Sequence, residues 1–222
     1  MRIEIRVILS MRQHGASCHL LILDNRTHIL LDCGINANLD FSQYRANEKI
    51  LSKVEIVLIT HPSLAYLGAL PFLLEEFNIS PKVYATQPVI ILGPLNIHEA
   101  MLNQRYEKYN TEVLRRIYSR FESVISVKPL QRKRFELEPG TGLARPEKEG
   151  DNPHHHSIHL ICYQSGSEIG AVCWRISYCM FSCVYLVGYS NYKQYHMEGM
   201  DLDSLIARKT DILITDCYTN DR

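Results

Sequence analysis

THPSLAYLGALP, residues Thr60–Pro71, follows a largely apolar run, Val54–Ile59, with a histidine, a proline and a closing Leu-Gly-Ala-Leu-Pro segment. A short apolar run bounded by turn signals reads as a buried strand. Beyond it Leu67, Leu70, Leu74 and Phe77 recur at the spacing of one helix face, which predicts a helix over Leu67–Phe77. His61 therefore stands at the end of a strand, at the entrance to a loop and a helix. The positions after it carry Ser63, Ala65 and Tyr66, which are poor metal donors and poor proton carriers at neutral pH. The turn has the setting of a reactive loop without the side chains for one.

Outward from this turn, strands and helices alternate. Towards the N-terminus Ile3–Leu9 and Ser17–Leu23 read as strands, Asp24–Arg26 as a turn, His28–Leu31 as a short strand and Ile50–Lys53 as the close of a helix. Towards the C-terminus come a strand at Pro81–Thr86, a long helix over Gln87–Tyr109 interrupted near Gly93–Pro94, and a helix at Thr111–Glu122. Pro139–Pro153, PGTGLARPEKEGDNP, is rich in Gly, Pro and charge, and a flexible loop is expected over 139–156. Strands return at Ser157–Tyr163, Ala171–Tyr178 and Cys183–Val187, then a short helix at Asp201–Arg208 and a strand at Asp211–Thr215. This order predicts an α/β sandwich whose sheets are covered by helices.

The 24 basic and 24 acidic side chains cancel, so whole-chain charge points neither to general nucleic-acid binding nor to a membrane surface. No apolar run approaches the roughly 18 residues of a membrane span. The seven cysteines form no C-x-x-C pair and lie mostly in apolar runs, as free buried thiols in a reducing compartment would. GTG at Gly140–Gly142 lacks the Lys and Ser/Thr of a phosphate loop.

Taken with LLDCGIN, Leu30–Asn36, the Thr60–Pro71 turn resembles the metallo-β-lactamase fold, and within it the β-CASP branch that processes RNA 3′ ends. Active members of that branch read Thr/Ser-His-x-His-x-Asp-His-x-Gly here, and these ligands help to hold two zinc ions. Zinc takes about four N, O or S donors, and a two-metal site makes its nucleophile by lowering the pKa of a bridging water. Thr60, His61, Gly68, Leu70 and Pro71 match this pattern, but Ser63 replaces the second His, Ala65 the Asp and Tyr66 the third His. The next family motif, Tyr-His-x-Gly-His-x-x-Gly, falls on YQSGSEIG, which keeps Tyr163, Gly166 and Gly170 and puts Ser167 at the ligand position. A later strand, VYLVGYS, places Gly188, eight residues before His196, or with a slip of one Tyr189, at the bridging Asp. Asp32 and Gly34 are retained; in this fold that Asp supports the site from behind the ligands.

The resemblance implies an αββα sandwich over residues 1–217. This is the N-terminal part of a domain normally split by a β-CASP insertion just after the acidic residue matched by Asp216, so the β-CASP domain and the remainder are expected to be absent from this chain. More narrowly, the turn, VYAT (Val83–Thr86) and LITD (Leu213–Asp216) resemble the non-catalytic subunit 2 family of the cleavage and polyadenylation specificity factor. The inactive subunit 9 family of the Integrator complex is the alternative. The implied protein is a nuclear pseudo-nuclease without zinc or membrane contact. Its partners would be the homologous active endonuclease, a symplekin-like scaffold and pre-mRNA.

Several residues carry two readings. His61 is a remnant ligand or a loop histidine bonded to the backbone; Asp32 and Asp216 are an acid–base pair or strand-end carboxylates accepting N–H groups. Ser63 or Ser167 with His61 would form a nucleophile–base pair, but neither serine lies in a G-x-S-x-G elbow. His154–His156 with His159 would capture metal adventitiously. The structural reading is preferred in each case. A hydrolase with altered ligands would use Asp32, His61, His196 and Asp216, two carboxylates and two imidazoles. Arg115, Arg116, Arg120, Arg132, Lys133 and Arg134 are the candidate RNA or partner contacts.

Overall fold

The structure is a computed structural model that describes residues 2–103, 111–137, 144–146 and 157–216. Among the described residues twelve strands form two mixed six-stranded sheets. The first has the spatial order β1 (Ile3–Leu9), β2 (Cys18–Leu23), β3 (Thr27–Leu31), β4 (Val54–Leu58), β5 (Lys82–Thr86) and β6 (Ile125–Val127). The second contains β7 (Arg132–Leu137), β8 (Ala144–Pro146), β9 (Ser157–Gln164), β10 (Val172–Tyr178), β11 (Phe181–Leu186) and β12 (Ile212–Thr215), in the order β12-β11-β10-β9-β7-β8. Parallel pairing runs through β3, β4, β5 and β6 in one sheet and joins β11 to β12 in the other.

Alternation along the strands separates three apolar layers. Leu21, Leu23, Ile29, Leu31, Ile56 and Leu58 of the first sheet meet Ile158, Leu160, Trp174, Ile176 and Tyr185 of the second. On the outer face of the first sheet, Cys18, Leu20, Ile22, Leu30 and Val57 pack against helices. These are α2 (Ser42–Ala46), α3 (Glu48–Leu51), α4 (Leu64–Leu67), α5 (Leu70–Glu76), α6 (Gln87–Asn103) and α7 (Thr111–Glu122); a short α1 (Met11–His14) precedes them. On the outer face of the second sheet, Ile161, Cys173, Val184 and Leu186 meet Leu205 of α8 (Leu202–Ile206). The layering is the expected αββα sandwich. Among the described residues no helix is long and apolar enough to cross a membrane.

Several elements differ from the sequence reading, and α1, α2, β6 and β7 were not read at all. The helix expected over Leu67–Phe77 is two, α4 and α5. The Ala69 N–H leaves the helix to donate to the Cys33 carbonyl at 2.8 Å, and a Cβ on Gly68 would strike Ile35 and the Leu64 carbonyl, so the break lets this loop dock on Asp32–Ile35. Conversely, α6 runs unbroken to Asn103 with Pro94 inside it. Gly93 is a packing site there rather than a stop, because a Cβ would lie 2.9 Å from Leu67 and 3.1 Å from Phe121; positions 104–109 of the expected helix lie outside the described residues. The run 139–156, read as one flexible loop, contains β8, which pairs with Phe135–Leu137; the rest of it, His154–His156 included, lies outside the described residues. Cys18, Cys33, Cys162, Cys173 and Cys183 are free and buried and Cys179 is free and exposed; Cys217 lies outside the described residues.

Candidate functional site

Parallel strands of both sheets end at one rim. Asp32 follows β3, Thr60 and His61 follow β4, Gly188 follows β11 and Asp216 follows β12, while the turn between β9 and β10 brings Ser167 across. Backbone hydrogen bonds hold the His61 loop against the Asp32 loop. Cys33 N–H donates to the Tyr66 carbonyl at 2.8 Å, Ile35 N–H to Leu64 at 3.0 Å and Ser17 N–H to Ala65 at 2.8 Å. That approach requires Gly34, since a Cβ there would sit 1.6 Å from the Ala65 carbonyl oxygen. LLDCGIN and LGALP are thus two halves of one interlock.

Asp32 is fully buried and left-handed, with φ 59°. Its Oδ1 accepts the Thr60 N–H at 2.7 Å, and its Oδ2 lies 2.7 Å from the Thr60 hydroxyl. His61 is also buried; its Nδ1 lies 2.7 Å from the same hydroxyl, and its Nε2 lies 2.8 Å from the Gly188 carbonyl and 2.9 Å from the Ser167 hydroxyl. A carbonyl only accepts, so Nε2 carries the ring proton. Burial raises Asp32 to about 8, against the hydrogen bonds from Thr60. Burial lowers His61 to about 4, against its bond to Gly188 and the charge of Asp216. Burial thus favours the neutral form of both groups. Among the described residues the Thr60 hydroxyl links them, within 2.7 Å of both Asp32 Oδ2 and His61 Nδ1. A proton already on Nε2 also prevents His61 from acting as a base towards Ser167, although the two are in contact.

Tyr66 fills the space beside this chain. Its ring stacks on His61 at 4.3 Å, and its hydroxyl donates to Asp216 Oδ2 at 3.2 Å, while Asp216 Oδ1 accepts the Gly188 N–H at 3.1 Å. Gly188 adopts φ 53°, and a Cβ there would lie 2.8 Å from both His61 Nε2 and the Tyr66 hydroxyl. The position read as the lost bridging Asp therefore does face His61.

His61, Ser63, Ala65, Tyr66, Ser167, Gly188 and Asp216 all line one cavity of about 910 Å³. Asp32 lies behind it. Gly166 and Gly170 shape the turn that carries Ser167, the carbonyl of Gly170 accepting the Thr86 hydroxyl at 2.6 Å. His196 is exposed and does not line the cavity. The altered set Asp32, His61, His196 and Asp216 is consequently not assembled, because Thr60 separates Asp32 from the cavity and the loop after β11 carries His196 away. Among the described residues no three His, Cys, Asp or Glu side chains are grouped to hold a metal ion. Measured against the four or so donors of zinc, the cavity offers one imidazole already donating to a carbonyl, with Asp216 and Glu168, a set that does not fit a zinc pair.

The basic stretch is divided. Arg115, Arg116 and Arg120 lie on α7 outside the first sheet, with Arg115 paired to Glu112 at 3.2 Å and Arg120 to Glu75 at 3.8 Å. Arg132, Lys133 and Arg134 lie on β7 in the second sheet. Sequence reasoning missed Thr60 as the link between Asp32 and His61, and it missed the cavity wall formed by Glu168, Tyr189, Asn191 and Tyr192. The retained threonine of the turn motif was the one available signal for the first; nothing local announces the second.

Residues 20–216 match the family described as Metallo-beta-lactamase superfamily domain. The chain is similar to cleavage and polyadenylation specificity factor subunit 2 of Oryza sativa subsp. japonica, with 29% identity over 92% of this chain and 25% of that protein. It is similar to the protein of the same description in Arabidopsis thaliana, with 30% identity over 86% of this chain and 24% of that one. The chain thus spans about a quarter of the length of these relatives. Among solved structures, the metallo-beta-lactamase fold protein YhfI from Bacillus subtilis superposes with a TM-score of 0.55 at 13% identity, covering 100% of this chain and 75% of that one, a likeness of fold.

Proposed function

The chain belongs to the metallo-beta-lactamase superfamily, and we propose that within it the protein acts as a non-catalytic subunit of a pre-mRNA 3′-end cleavage and polyadenylation complex. In this reading it works in the nucleus as a scaffold beside the homologous active endonuclease and a symplekin-like subunit. RNA contact, where it occurs, falls to the Arg115–Arg120 face of α7 and the Arg132–Arg134 stretch of β7. The similarity to subunit 2 proteins supports the choice of complex.

One observation carries the non-catalytic reading. Both ring nitrogens of His61 are engaged by protein groups, Nδ1 by Thr60 and Nε2 by Gly188 and Ser167, and Tyr66 lies flat on the ring. A zinc ligand needs a free lone pair directed at the metal, together with neighbouring donors. Here Ser63, Ala65, Tyr66, Ser167 and Gly188 stand at the neighbouring positions.

The test is zinc content of the tag-free protein by elemental mass spectrometry, with His154–His156→Ala as a control for adventitious capture, followed by copurification with the endonuclease. Below about 0.1 zinc per chain is expected, given the four-donor requirement, together with stoichiometric copurification. One or two zinc ions that survive the control and are lost on His61→Ala would overturn the non-catalytic reading. A metal-free chain that leaves the endonuclease behind would overturn the choice of complex.

A further inference from the structure

The cavity in front of His61 has a definite character. Among the described residues the charged linings are the carboxylates Glu168 and Asp216, with no Lys or Arg beside them. Tyr66 forms part of its wall, and Tyr189 and Tyr192 stand at its mouth, 45% and 83% exposed. Two basic residues adjoin lining positions: Lys193, beside Tyr192, is turned to Glu198 at 2.5 Å, and Arg12, beside Met11, is exposed. Burial raises the Glu168 carboxyl, as expected for a carboxylate drawn from water without a cation. Among the described residues Asp216 accepts one hydrogen bond on each oxygen, fewer than a carboxylate oxygen can take.

We propose that this cavity is a docking pocket for an arginine side chain presented by a basic segment of a partner protein. The proposal rests on the cavity being free of zinc, as argued above. A guanidinium is planar, stacks on tyrosine faces and donates through five N–H groups, so one group satisfies both the aromatic mouth and the two carboxylates. The cavity's volume, about 910 Å³, accommodates one side chain with its flanking backbone. An RNA phosphate is the opposite case, since its binding depends on lysines and arginines, and none lines the cavity among the described residues. Loss of the metal would leave the carboxylates uncompensated and convert a reaction centre into a cation receptor.

The experiment titrates N-acetyl-arginine amide into the 222-residue chain of measured zinc content, followed by NMR. N-acetyl-citrulline amide serves as the uncharged isostere and uridine 5′-monophosphate as the phosphate probe. Saturable one-to-one binding of the arginine amide is expected, at least about tenfold tighter than that of citrulline, as a charge-assisted contact requires, with no saturable binding of the nucleotide. Glu168→Gln and Asp216→Asn should each weaken it by about tenfold, and Tyr192→Ala, at an exposed position that cannot compromise folding, by about fivefold. Equal binding of arginine and citrulline, indifference to Glu168→Gln and Tyr192→Ala, or preferential binding of the nucleotide would overturn the proposal. Zinc in the sample would instead overturn the reading beneath it, and metal-free protein that ignores the arginine amide would overturn the docking pocket alone.

Discussion

Gly34→Ala should damage this protein more than any other single methyl addition on the rim. The added Cβ would lie 1.6 Å from the Ala65 carbonyl oxygen and 2.2 Å from its carbonyl carbon. Both belong to backbone, so no rotamer change relieves the overlap, and the two loops must separate. Separation breaks the bonds from Ser17 N–H to Ala65, Cys33 N–H to Tyr66, Ile35 N–H to Leu64 and Ala69 N–H to Cys33, each between 2.8 and 3.0 Å. At about 1 kcal/mol net for each, the loss is about 4 kcal/mol. With a urea m-value of about 2 kcal/mol/M, the midpoint should fall by about 2 M. Gly15→Ala is the control: Gly15 is also left-handed, at φ 66°, but a Cβ there meets nothing closer than 4.0 Å, so only the backbone penalty of about 1 kcal/mol applies. Equilibrium urea unfolding followed by the fluorescence of Trp174 reads both variants. A Gly34→Ala midpoint no lower than that of Gly15→Ala would refute the interlock argument.

Two further predictions concern buried ionisable groups. Asp32, raised from 3.8 to about 8, favours folding at low pH and loses that contribution as pH rises between those values, whereas His19 and His61, each lowered from 6.5 to about 4, favour folding above 6.5 and lose their contributions as pH falls to 4. At about 1.4 kcal/mol per pH unit for each group, the three together make stability rise by about 3 kcal/mol from pH 4 to 6.5 and fall by about 2 kcal/mol from pH 6.5 to 8. Urea midpoints at pH 5, 6.5 and 8 check this; the fall above 6.5 should vanish in Asp32→Asn, and a midpoint still climbing at pH 8 in the native chain would refute it. Arg175 is fully buried and donates to the Leu205, Arg208 and Lys209 carbonyls at the end of α8 and to the Ser182 hydroxyl. Arg175→Leu should cost about 3 kcal/mol, from acceptors left without a donor. Hydrogen exchange should show α8 opening ahead of the sheets, and unchanged protection there would contradict the assigned role.

Much of the sandwich was legible because its signals are local. Val54–Leu58 and Val172–Tyr178 announce themselves by short apolar runs, and Asp24–Arg26 by turn residues. The strand β7 was hidden because RKRFEL spends its alternation on charges, with Phe135 reaching the core. The strand β8 was hidden in a stretch whose Gly, Pro and charge read as loop. Gly93–Pro94 was misread as a helix stop because the local rule against a buried proline gave way to packing against Leu67 and Phe121.

Chemical capacity is a property of residue type. That His61 is kept while Ser63, Ala65, Tyr66, Ser167 and Gly188 stand at the positions the resemblance assigns to ligands was therefore legible in the sequence. Which groups meet was decided only by tertiary structure. Strands 28 and 127 residues apart had to end at one rim for Asp32 to reach Thr60 and for the Gly188 carbonyl to accept a hydrogen bond from His61. The tautomer of that ring and the acidic, tyrosine-lined cavity in front of it follow from strand register and loop docking. These are long-range contacts with no periodicity to read along the chain.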